Sequence, residues 1–400
     1  MAPFDEGDDR LKQIVILGGG YAGLLCALTV RKFVYDNEAV VTLINRSSSH
    51  QLITELHRLA AGNLPEQAVA LSLTKLLKGK RVQLVTEEVT VIDTEQREVR
   101  TSEGDYSYDY LVIAMGSQTA YYDIPGLEKH SLPLKSIHEA NRINAHIRES
   151  LMRFKKSRQQ ADATIVVGGG GLSGIEMIGE IADMLPKWCE DYQLQREDIR
   201  LYGIEASPSI LPGFPAELAA RATSSLERRG AKLIVGVPIT AYDYPVVLLK
   251  DGQSIPTHTL IWTGGVQGNP IVAASNLETL RGRAIVNACL QSESHEDVFV
   301  AGDSAICYQD NGLPLPPSAQ LAWQMGEAVG YNLYAIMNGM PLQPFKPVIY
   351  GKLASLGRKD AVAVLGKNDK PLKGLPASLM KEASKAKYLT HIRGLQAYLH

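Results

Sequence analysis

Two stretches of this chain have the residue types and spacing to hold a pyrophosphate. Gly18, Gly20 and Gly23 follow the apolar run Gln13-Ile-Val-Ile-Leu17 and precede Leu24-Leu-Cys-Ala-Leu-Thr-Val30. Gly169, Gly171 and Gly174, with Ser173 among them, follow Ala163-Thr-Ile-Val-Val167 and precede an apolar stretch from Ile175 to Leu185. Both fit G-x-G-x-x-G between a buried parallel strand and a helix. Glycine serves a different purpose at each position. One makes the tight turn, one lets backbone N–H groups approach the phosphates, and one lets helix and strand pack closely. The helix N-terminus then stabilises the phosphate charge. One such loop is weak evidence. Two are strong when each is followed by a strand that ends in a polar residue, and here those residues are Asn45 and Glu205. The fingerprint has an acid at this point to hold a ribose. Asn45 can still hydrogen-bond a ribose hydroxyl, whereas Glu205 adds a charge that opposes a 2′-phosphate. The long gap before Glu205 implies a helix that stops near Pro186 and an extra loop from Lys187 to Asp198.

Other positions carry further chemistry. Tyr108-Asp-Tyr-Leu-Val-Ile-Ala-Met-Gly-Ser117 is an apolar strand that ends in a turn at Gly116, and Glu296-Asp-Val-Phe-Val-Ala-Gly-Asp303 is a strand that ends in Gly-Asp. Asp303 can accept hydrogen bonds from polyol hydroxyls, as in a flavin's ribitol, or it can cap a following helix. Gln320 and Gln324 are four apart and share one helix face, with Ser318 placed to cap that helix. Their amides suit a quinone carbonyl or a flavin pyrimidine, or they simply face solvent. Glu176, just past the second glycine loop, complements a helix dipole or holds a proton, since an apolar redox pocket would raise its pKa.

The whole chain bounds what these groups serve. Its 400 residues suffice for two or three domains, and 45% apolar with 21% charged residues is ordinary for a globular protein. A formal net charge of −2 gives no support to a nucleic-acid partner. Neither a secretory signal nor a run of about 20 apolar residues is evident. Cys26, Cys189, Cys289 and Cys307 are scattered, so neither a disulfide framework nor a metal site is expected, and a reducing, cytoplasmic location is.

Together these residues resemble the two-dinucleotide-binding-domain flavoproteins, and within them type II NADH:quinone oxidoreductase. The more specific marks are Thr54-Glu-Leu-His57 with Ala60-Ala-Gly62, Gly174-Ile-Glu176, Trp262-Thr-Gly-Gly265, Ala319-Gln320 with Gln324, and Ala354-Ser-Leu-Gly357. Asn45 departs from the family's usual acid. The resemblance implies an α/β fold of two Rossmann-like domains. An FAD domain would comprise residues 1–125 and 259–345, an inserted NADH domain 126–258, and a C-terminal segment 346–400. It places FAD at Gly18, Gly20, Gly23, Asn45, Gly116, Asp303 and Gln320. NADH goes to Gly171, Ser173, Gly174, Glu205 and Gly265. Glu176, Gln320 and Gln324 take catalytic roles, with quinone on the flavin face opposite the nicotinamide. The implied reaction is NADH oxidation by quinone without proton pumping. Rivals on this scaffold are reductases that serve sulfide:quinone, ferredoxin or oxygen chemistry, and an NADH-sensing flavoprotein.

The tail carries Leu379, Met380, Ala383, Leu389, Ile392, Leu395 and Leu399 among Lys381, Lys385, Lys387 and Arg393, with Gly394 as an interruption. An apolar stripe with basic flanks suits an in-plane helix on an anionic membrane, here on the cytoplasmic side, or a helix packed on its own domain or on a homodimer mate.

Overall fold

The apolar runs before the two glycine loops fold as the central strands of two parallel sheets. The computed structural model describes residues 10–309, 311–366 and 369–393. The chain runs through β1 (Lys12–Leu17), α1 (Tyr21–Phe33), β2 (Ala39–Asn45), α2 (Leu56–Ala61), β3 (Gln83–Thr86) and β4 (Tyr110–Ile113). It continues with β5 (Leu132–Pro133), α3 (Ile137–Ser157), β6 (Thr164–Gly168), α4 (Leu172–Tyr192), β7 (Arg200–Glu205), β8 (Ala231–Val235) and β9 (Thr259–Trp262). Then come β10 (Val298–Val300), α5 (Ala319–Met337), β11 (Gly351–Ser355), β12 (Ala361–Leu365), β13 (Lys370–Lys373) and α6 (Leu375–Arg393).

These elements form two compact units. The first takes residues 10–50, Leu71–Gln118 and Gln267–Val348, and the second takes Gln51–Ala70, Thr119–Val266 and 349–393. In the first unit the strand order is β10-β4-β1-β2-β3, parallel throughout. In the second it is β5-β9-β6-β7-β8, again parallel throughout. Each unit also inserts a three-stranded antiparallel meander before the strand that returns to its sheet. One lies within Val89–Ser107 and the other within Ile239–Pro256. The duplicated glycine motif therefore belongs to a duplicated plan. Ile14 to Leu17 and the whole of β6 are buried, as strands covered on both faces must be.

Three expectations from sequence differ from this structure. The helix after the second glycine loop does not stop at Pro186 but continues to Tyr192. Proline removes one backbone donor there, while buried Met184, Leu185 and Trp188 hold both sides of it in place. The residues expected to form an extra loop are therefore largely helix. The unit boundaries also lie elsewhere. β9 pairs with β6, so the second unit extends to Val266 rather than 258. The described residues from 349 to 393 belong to the second unit as well. There Gly179 of α4 meets the backbone of Leu356 so closely that a Cβ would collide.

In the first unit α5 lies against α1 with comparable closeness, since a Cβ on Gly326 would strike the carbonyl of Ala22. Gly326→Ala should force the helices apart and cost about 1–3 kcal/mol, as overpacking does. Urea unfolding of the variant should show a lower midpoint, and an unchanged midpoint would mean that the contact yields freely.

Candidate active site

The two glycine loops are alike at the level of atoms. Gly18 has φ +100° and Gly169 has φ +106°, a region that side chains avoid. A Cβ on Gly23 would strike the carbonyl of Gly18, and one on Gly174 would strike that of Gly169. Over Gly20 and Gly171, which precede α1 and α4, a Cβ would meet nothing within 4 Å. No side chain caps either helix, and neither has an acid in its first turn. By contrast, Ser136 caps α3 and Ser318 caps α5. The first-turn N–H groups of α1 and α4 thus face open cradles, and a pyrophosphate fits that donor set. Ser173 is exposed in the first turn of α4.

The residue that ends the next strand braces each loop. Asn45 accepts from Gly19 N at 2.9 Å and donates to Ser47 O at 2.7 Å. Glu205 accepts from Gly170 N at 2.5 Å and from Ser207 N at 2.6 Å. An ionised carboxylate has about four lone-pair sites, so Glu205 retains acceptor capacity for a ribose, and the Asn45 oxygen retains one lone pair. Asp303 does not cap a helix, because the short helical turn Gly302–Ser304 begins after Ala301. Its carboxylate accepts from Ser117 Oγ at 2.8 Å instead, and Ser304 Oγ donates to Gly116 O at 3.2 Å. In the second unit Gly265 O accepts from Ala120 N at 3.0 Å, and Tyr122 stands against that turn.

Glu176 is the fifth residue of α4, beyond the first turn, so complementing the helix dipole does not account for it. The apolar pocket expected around it is instead charged and polar. Lys381 Nζ of α6 lies 2.6 Å from Glu176 Oε1, and Ser355 donates to the same oxygen from N at 3.0 Å and Oγ at 3.2 Å. His57 of α2 places Nδ1 3.6 Å from Glu176 Oε2 and Nε2 3.0 Å from Lys381 Nζ. A second set of charges adjoins this one. Arg58 pairs with Glu55 at 2.9 Å and Glu382 at 2.7 Å, and Lys385 pairs with Glu55 at 3.1 Å. Fully buried Glu180 accepts from Asn63, and burial raises its pKa.

This network alters the reading of the tail. Lys381 and Lys385 were expected to flank an apolar membrane stripe, but both turn inward to carboxylates. Lys387 lies over the Tyr350 ring. Leu375, Leu379 and Met380 remain exposed, whereas Tyr388 and Ile392 are buried. Gly394, Leu395 and Leu399 lie outside the described residues.

Gln320 and Gln324 are both half-buried on α5. The Gln324 amide is already committed, donating to Gln320 O at 2.7 Å and Val348 O at 3.0 Å while accepting from Val348 N at 2.9 Å. It braces backbone rather than offering itself to a ligand.

The pyridine nucleotide-disulphide oxidoreductase family matches residues 12–326. The type II NADH:quinone oxidoreductase of Staphylococcus aureus strain MSSA476 is 33% identical over 390 residues, which is 96% of either chain. The chain belongs to the type II NADH:quinone oxidoreductase family. The enzyme of that name from strain NCTC 8325 matches at the same identity over the same span. Among solved structures, NDH2 from Plasmodium falciparum in complex with NADH has a TM-score of 0.86 at 17% identity and covers 94% of each chain. The sulfide:quinone oxidoreductase from Aquifex aeolicus has a TM-score of 0.75 at 20% identity, covering 96% of this chain and 91% of its own. At these identities the likeness speaks for fold alone, and it agrees with the α/β fold expected. Its four cysteines, Cys26, Cys189, Cys289 and Cys307, are free thiols.

Sequence reasoning quoted His57 and Lys381 without giving either a part in the site, and it passed over His50. His50 is buried and its Nδ1 donates to Gly19 O at 2.9 Å, so it braces the first glycine loop from below. Burial lowers its pKa from 6.5 to about 4. The unfolded ring gains its proton near pH 6.5, so the folded state is favoured fully above that value. Stability is lost as pH falls toward 4, by up to about 3 kcal/mol. Urea midpoints at pH 7.5 and 5 should show this loss. His50→Asn, which keeps a donor near Nδ1, should reduce it by about half or more, and an equal loss in both proteins would assign it to other groups.

Proposed function

We propose that this chain oxidises NADH and reduces a quinone to quinol through a bound FAD, without moving protons across a membrane. The observation that carries the reading is the pair of uncapped glycine-loop cradles, only one of which sits in a unit that also has the Gly302-Asp303 strand end. A bound FAD would supply the two-electron chemistry between NADH and quinone.

The chain's own residues supply binding, orientation and proton handling. Gly18, Gly20, Gly23 and the start of α1 hold the FAD pyrophosphate, Asn45 holds its adenosine ribose, and Asp303 with the Gly116 turn holds its ribitol. Gly171, Ser173, Gly174 and the start of α4 hold NADH, with Glu205 on its ribose and Gly265 beside its nicotinamide. Glu176 and Lys381 form a buried, hydrogen-bonded pair of opposite charge, and that pair is the group that relays a proton to the reacting centre. Gln320 presents its amide on the acceptor side. No described helix is long and apolar enough to cross a membrane. Exposed Leu375, Leu379 and Met380 on α6 support a peripheral contact with the membrane surface that holds the quinone.

Nicotinamide choice tests the second cradle. Glu205 should make NADH the better donor, since a 2′-phosphate would meet its carboxylate. Glu205→Gln keeps an acceptor for Gly170 N while removing the charge, so the NADH-over-NADPH ratio of kcat/KM should fall by about tenfold. An unchanged ratio would remove Glu205 from this role.

The acceptor side is tested by Gln320→Leu. Bleaching of bound flavin by NADH in stopped flow should stay near the parent rate. Steady-state quinone reduction should drop by about tenfold, the effect of one lost hydrogen bond worth about 1.4 kcal/mol. Equal slowing of both steps would make α5 a mere support for the flavin.

A further inference from the structure

The ammonium of Lys381 has three N–H donors and three acceptors around it. These are Glu176 Oε1 at 2.6 Å, Ser355 Oγ at 2.9 Å and His57 Nε2 at 3.0 Å. An ammonium only donates, so Nε2 must offer its lone pair. The ring's single proton is then on Nδ1, which points at Glu176 Oε2, 3.6 Å away. His57 thereby touches both members of the ion pair from one side, and it is buried on α2.

We propose that His57 is a positioning residue for the Glu176–Lys381 pair, holding Lys381 on Glu176 as a neutral acceptor of the third ammonium N–H. The inference rests on the reading of Glu176 and Lys381 as the proton-handling pair of the reaction. A charged imidazolium would turn an N–H toward the ammonium and dislodge it. Burial, then Lys381, opposes that charge and lowers the His57 pKa well below 6.5, with Arg58 and Lys385 adding to the effect and Glu55 opposing it. Glu180 on α4 and Glu382 on α6 also belong to this cluster, and both lie beside Arg58. His57 therefore sets the acid limit of the pair. As pH falls and the ring at last gains its proton, Lys381 leaves Glu176 and quinone turnover falls.

The test uses the FAD-loaded protein with ¹⁵N-labelled histidine. Signals missing from His57→Gln identify the ring in the parent, and they should report the neutral Nδ1–H tautomer from about pH 8 to about pH 6. An Nε2–H tautomer or a charged ring in that range overturns the proposal whatever the activity. Turnover supplies the second arm. Gln carries an amide oxygen near the place of Nε2, so His57→Gln should keep about a third or more of the parental kcat at pH 7.5 and lose the parent's acid limb. His57→Leu should lower kcat by about fivefold or more with KM for NADH little changed. If Glu176→Gln slows turnover while His57→Leu leaves kcat and the acid limb as in the parent, His57 has no such role. If Glu176→Gln turns over at the parental rate, the reading of the pair itself falls and the inference with it.

Discussion

A helix that begins without a side-chain cap leaves backbone donors unpaired, and α1 and α4 both do so at the same point of the same plan. The rest of the molecule follows from keeping those donors open and correctly aimed. Gly23 and Gly174 let α1 and α4 start hard against the carbonyls of Gly18 and Gly169. Asn45, Glu205 and His50 then tie down the loops from the side and from below. Any of these groups could have been replaced by a serine cap on the helix itself, as at Ser136 and Ser318. A cap would stabilise the free protein by about 1 kcal/mol and fill the place of a phosphate.

The second unit solves a different problem, which is to keep ionised groups buried. Glu55, Glu176 and Glu180 are all buried, and each faces a cation carried by α2 or α6. Burying such pairs seldom adds net stability over apolar packing, but removing one partner is costly because a lone charge remains. α6 is therefore held to its unit by Lys381, Glu382 and Lys385 as much as by Ala377, Tyr388 and Ile392. Its apolar residues are free to lie on several sides, with Leu379 exposed and Ile392 buried.

What the sequence revealed was local. The glycine loops, the strands before them, the polar residues that end β2 and β7, and the cap at Ser318 are all read within about 30 residues. What it concealed depends on distant partners. Lys381 meets Glu176 across 205 positions, and no periodicity or motif near Lys381 announces a carboxylate. Without that partner, Lys381 and Lys385 read as basic flanks of a surface helix. Gln324 shares a face with Gln320 as spacing implies, yet Val348 claims its amide. Pro186 failed as a stop signal because buried neighbours on both sides outweigh one missing backbone bond. Glu176 read as a first-turn acid only because the start of α4 was placed three residues late.

The two cradles differ where their occupants would need to differ. Asn45 is self-contained, with its oxygen on Gly19 N and its amide on Ser47 O, so the brace of the first loop holds whether or not a ribose is present. Glu205 braces the second loop with a full charge, and two backbone N–H groups only partly satisfy it. A charged acceptor favours a ribose with free hydroxyls and opposes a phosphate in their place, so it selects among ligands that come and go. An uncharged amide offers no such selection, and none is needed for a cofactor that stays. In the proposed assignment, a change from amide to carboxylate at one position of a repeated fold separates the resident flavin from the exchanging nicotinamide.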